Sequence, residues 1–99
     1  MNRYEDEVEL LDALCKDPDA RRELLWLRAK EKEDDESLRS LERVDPTLRG
    51  RLADVARRVE AEDDDRERRE AWGRAWDERY EWHMARLAAA RAQRPVASR

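Results

Sequence analysis

The chain has no phenylalanine or isoleucine, one cysteine, one histidine, two glycines and three prolines. Each scarcity excludes a class of chemistry. Cys15 alone forms no disulfide within the chain. His83 has Arg79 four residues before it and Leu87 four after, so no second ligand shares its helical face and no metal site is expected. Gly50 and Gly73 stand apart, which leaves no glycine-rich loop to cradle a phosphate. Ser37, Ser40 and Ser98 have no recognisable base beside them, so no catalytic nucleophile is assigned. The reading is therefore of a protein that is not an enzyme and has no catalytic residue, metal ligand or cofactor. The longest apolar runs, 24–27 and 87–90, are far shorter than the roughly 20 residues that cross a bilayer. Residues 1–11 are acidic and lack the basic and apolar regions of a signal peptide, so a cytoplasmic protein is expected.

Leu and Val supply only 16 residues, whereas Ala, Glu, Lys, Leu and Arg make up 61 of the 99. A core built from so few large aliphatics is small, and the enrichment points to long helices or coiled coil. The expected fold is all-α, a small helical bundle or helical hairpin with a long, highly charged C-terminal helix. The 19 arginines against 3 lysines mostly alternate with acids, which suits solvated helix faces. Charge is uneven along the chain. Residues 1–45 carry a net −6 and residues 46–99 a net +2, so an acidic front and a basic end are available to meet within one molecule or between two.

The spacing predicts helices at about 3–16, 18–35, 37–44 and 46–93, the last with a possible break near 63–66, in one domain spanning 1–94. A disordered tail is expected at 95–99, beyond Pro95. In the first helix Tyr4, Val8, Leu11 and Cys15 form a stripe, with Leu10 and Leu14 beside it. Asp17 before Pro18 and Asp45 before Pro46 both read as helix caps, because aspartate satisfies first-turn amides and proline at the first helical position loses no bond. Ala20, Leu24 and Leu27 mark the inner face of the second helix, and the run 24–27 is expected to be buried on most sides. Val44, Leu48, Leu52, Val55 and Val59 share another face. The acidic run at 63–65 precedes arginines at four-residue spacing and reads as a solvated helical spacer. Gly73 reads equally as a kink or as the close approach of another backbone.

Trp72, Trp76, Tyr80, His83 and Leu87 recur at helical spacing and form the aromatic stripe of the last helix. That stripe is expected to bind a partner, because two short helices cannot cover it together with the stripes of the other elements; the alternative is an intramolecular core, in which a hairpin at 63–65 folds the stripe back on 48–59. The functional expectation is a helical protein–protein interaction module that associates with itself or with another protein. The alternative is a small regulator or antitoxin-like protein that contacts nucleic acid through Arg86, Arg91 and Arg94 at its basic end.

Overall fold

Three helix starts in this chain are set by aspartates, Asp17, Asp34 and Asp64, whose side chains accept from first-turn amides. In the computed structural model, which describes residues 3–93, six helices run in order: α1 (Arg3–Lys16), α2 (Pro18–Lys32), α3 (Asp35–Val44), α4 (Leu48–Arg51), α5 (Ala53–Glu60) and α6 (Asp65–Ala92). There is no strand among the described residues, so the fold is all-α with a long C-terminal helix. Residues 95–99, assigned to the tail, lie outside the described residues. Asp17 caps α2 by accepting from the amides of Asp19 and Ala20 at 3.0 and 3.2 Å. Asp64 caps α6 in the same way, accepting from Arg66 and Glu67 at 2.8 and 3.1 Å. α2 ends short of residue 35 because Glu33 turns into the left-handed region, at φ 58°, where its amide closes on the carbonyls of Ala29 and Lys30.

The segment 46–93 is three helices. Asp45 does not cap a helix at Pro46; its carboxylate accepts from the amide and hydroxyl of Thr47 at 3.2 and 2.7 Å, and α4 starts only at Leu48. The acidic run is a chain reversal and no helical spacer. After α5 the chain turns at 61–64, and Arg68 reaches back to donate to the carbonyls of Glu62 and Asp63 at 3.0 and 3.4 Å. This reversal lays α6 back along α5 and α2. α2 runs along α6, with α1 and α3 on its flanks.

Trp26, Leu27, Leu38, Leu48, Leu52 and Trp72 are the large members of the core. The rings of Trp26 and Trp72 meet edge-on, with centroids 5.6 Å apart. A buried tryptophan covers on the order of 150–250 Å², so two of them build much of a core that has few aliphatics to draw on. Trp72 therefore lies inside the monomer, where the sequence reading had put it at a partner surface. The reversal supplies the cover, folding α6 back along α5 and α2.

Two further faces are turned from their expected direction. In α2 the inward side is Ala20, Glu23, Trp26 and Leu27, while Leu24 is half-buried and Leu25 is exposed. In α1 the stripe of Tyr4, Val8, Leu11 and Cys15 faces outward, and Leu14 and Leu10 face in. On the side of α1 opposite that stripe, Arg91 of α6 grips Asp6 and Glu9 at 2.9 and 3.0 Å, and Leu10 and Leu14 make the inward packing contact. On the face shared by 44–59, Leu48, Leu52 and Val59 are buried, but Val44 is exposed. Gly73 sits in an unbroken helix, and a Cβ there would lie 3.3 Å from the Glu31 carboxylate of α2. Close approach, by a side chain rather than a backbone, accounts for it.

Glu33→Gly is expected to stabilise the protein by about 1 kcal/mol, because glycine avoids the cost of the left-handed conformation. Thermal unfolding followed by circular dichroism should then rise by roughly 4–8 °C. A midpoint that stays put or falls would contradict the proposed strain at this cap.

Candidate functional site

The packing is tied together by a buried acid. Glu23, 2 % exposed, lies three residues after Ala20 and four before Leu27, on the inward face of α2. Its Oε1 accepts from Arg79 Nε at 2.5 Å and lies 3.2 Å from His83 Nε2, both on α6. Its Oε2 accepts from Arg51 Nε of α4 at 2.9 Å. Arg51 also donates to Asp45 at 2.9 Å and to the Thr47 hydroxyl at 2.5 Å, and Arg22 of α2 donates to Asp45 at 3.0 Å. One connected network thus joins α2, α4, α6 and the turn after α3.

Burial pushes the Glu23 carboxyl up, but hydrogen bonds from Arg79 and Arg51 and the nearby positive charge outweigh it and hold the group below its ordinary range. Hydrogen bonds from Arg51 and Thr47 hold Asp45 well below the usual carboxylate range. Burial also lowers His83, and the opposing pull of Glu23 is the smaller effect. Because both oxygens of Glu23 are occupied by donors, it is poorly placed to take a proton from a substrate. Among the described residues no group of three or more His, Cys, Asp or Glu could hold a metal ion.

Outside this network, three open grooves meet at one side chain, Leu25. The largest, about 550 Å³, runs between α1, α2 and α6. Leu11 and Leu14 of α1, Leu24 and Leu25 of α2, and Trp76 and Tyr80 of α6 give it an apolar lining, with Arg21 and Arg28 also on it. The second, about 380 Å³, passes from Cys15 over Leu25 to Leu41 and Val44 of α3, and the third, about 450 Å³, lies between α2 and α3. Trp76 and Tyr80 stack nearly parallel at 5.4 Å, and the Arg28 guanidinium sits 4.7 Å from the Trp76 ring. Arg28 is paired with Glu31, whereas Arg21 has no ion pair among the described residues. The result is an apolar channel with a stacked aromatic wall, beside Arg21, which has no ion pair among the described residues.

The expected site residues divide. Trp72 and His83 are buried inside the fold, Trp76 and Tyr80 form a groove wall, and Leu87 is half-buried further along α6. Of the basic end, Arg91 is engaged by Asp6 and Glu9, and Arg86 lies over the Trp82 ring at 4.5 Å. Arg94 lies outside the described residues. The acidic front and the basic end thus meet within one molecule. Leu25, Arg21, Glu23, Asp45 and Arg51 were not anticipated as site or network residues. For Glu23 a signal exists, since an acid spaced three and four residues from apolar neighbours sits on their helical face.

Glu23→Gln leaves Arg51 and Arg79 without their shared buried counter-charge, and is expected to cost about 3–5 kcal/mol in denaturant unfolding at pH 7. A cost below 1 kcal/mol would show that the network is dispensable. Acid should act on the same groups. Glu23, Asp45 and His83 all have folded values below their ordinary ones of 4.5, 3.8 and 6.5, so the unfolded chain binds more protons in acid. Stability is expected to be complete above about pH 6.5, to decline first as pH falls below His83's unfolded value, and to fall steeply below about pH 4.5. Melting temperatures measured from pH 8 to pH 3 check this, and a stability maximum in acid would oppose it. In comparisons with known proteins, no family model, no curated protein and no solved structure matches the chain.

Proposed function

We propose that the chain is a small helical protein-interaction module that seats an amphipathic, acid-flanked helix in the groove between α1, α2 and α6. The observation that carries this reading is the convergence of three grooves on Leu25, which is 47 % exposed although it belongs to the most apolar run of the central helix. Leu11 and Val44 are exposed beside those grooves. Large apolar side chains clustered on one face, next to aromatic walls and arginines, have the composition of the centre of a protein interface. A helix laid into a groove buries apolar positions at three- and four-residue spacing, and acids on its edge would meet Arg21 and Arg28. Glu23 ties α2 to α6 on the opposite side of α2, which supports the relative placement of the two helices that wall the groove.

Nucleic acid is the weaker reading. Arg91 is spent on Asp6 and Glu9, Arg86 packs on Trp82, and the whole chain has a net charge of −4. These leave little basic surface to follow a phosphate backbone.

Two synthetic amphipathic helices with the same apolar stripe, one flanked by glutamates and one by lysines, test the proposal by fluorescence anisotropy. The acid-flanked peptide is expected to bind at least about tenfold more tightly than the basic one, and Leu25→Asp should weaken it by about tenfold or more with the fold unchanged. Failure of both peptides to bind, or equal binding that ignores Leu25→Asp, would rule the groove out as a helix-docking site.

A further inference from the structure

We infer that the helix seated in the groove is α1 of a second copy of this chain, in a two-fold dimer. This rests on the groove being a helix-docking surface. α1 has the features such an occupant requires. Its outward stripe includes Val8, 48 % exposed, and Leu11, 43 % exposed, and continues to the exposed Cys15. Glu5 and Asp12, seven residues apart, lie along one edge of that stripe at the helical period, with Asp12 paired to Lys16 at 3.0 Å and Glu5 left to meet a partner. Glu5 has no ion pair among the described residues, and neither does Arg21 at the groove.

One chain therefore exposes both halves of a complementary pair: an acid-edged apolar helix, and an apolar groove with an unneutralised arginine. Leu11 and Cys15 belong to both the stripe and the groove. A surface whose residues serve as guest and host at once is self-complementary, as a two-fold interface must be, where each contact between two positions occurs twice. The two α1 helices cross near Leu11 and each packs toward α2 of the other copy. Glu5 of each then faces Arg21 of its partner. A different protein in the groove would leave the stripe of α1 only partly covered, whereas a second copy covers stripe and groove together.

Sedimentation velocity of the full chain, from low micromolar to submillimolar concentration, tests this. The expected result is a concentration-dependent shift from monomer to dimer. Leu11→Asp should abolish the shift, and circular dichroism should confirm that the variant remains helical. Arg21→Glu and Glu5→Arg should each weaken the dimer about tenfold, and the two together should restore it, since the swap recreates both pairs in reverse. If Leu11→Asp unfolds, the charge swap decides, because both of its positions are exposed. A chain that stays monomeric at the highest concentration overturns the inference, as does a dimer indifferent to all four variants. A monomer that still binds the glutamate-flanked peptide removes only the second copy as occupant. A monomer that binds neither peptide removes the docking groove as well.

Discussion

Glu23 is the constraint on which the rest of the structure depends. A carboxylate taken out of water is tolerated only when its oxygens are filled by donors, and Arg79, His83 and Arg51 fill them from two other helices. The same requirement sets the rotation of α2. Residues two apart on a helix point about 200° apart, so turning Glu23 inward toward its arginines turns Leu25 outward. The groove system centred on Leu25 is thus the outer consequence of an inner electrostatic demand.

α1 follows the same rule. Asp6 and Glu9 are held by Arg91 of α6, and Val8, two residues from Asp6, is carried to the far side. In an ordinary amphipathic helix the apolar stripe seeks the core and the acids seek water. Here α1 has the opposite orientation, with ion pairs to α6 on its inner side and Leu10 and Leu14 making the inward contact. The chain can accept this because Trp26 and Trp72 already fill the centre, where a full set of aliphatic side chains would otherwise be needed.

These choices connect stability to function. Arginines that make the network rigid also fix the relative positions of α2, α4 and α6, and hence the wall of Trp76 and Tyr80 against which a docked helix would pack. Of the exposed large apolar side chains, Leu11, Leu25 and Val44 line the three grooves. The rotation that buries Glu23 is the one that presents Leu25, the centre of the proposed docking surface.

The helical class and the cap at Asp17 were legible in the sequence, because each depends on neighbours within a few positions, whereas the acidic run, which reads locally as a helical spacer, is a chain reversal. Periodicity also located the apolar stripes of α1, α2 and α6. Which stripe faces inward was decided only by tertiary structure. The spacing of Tyr4, Val8 and Leu11 states that they share a face, but whether that face is covered depends on how α1 packs against α2 and α6, where its partner Arg91 lies 80 or more positions away in the chain. Asp45 and Asp17 have the same local sequence, each before a proline. Asp17 caps a helix, while Asp45 is drawn to Arg22 and Arg51 and the helix after it starts later. Local pattern determines what a segment can form, and long-range pairing of charge determines which side of it the molecule shows.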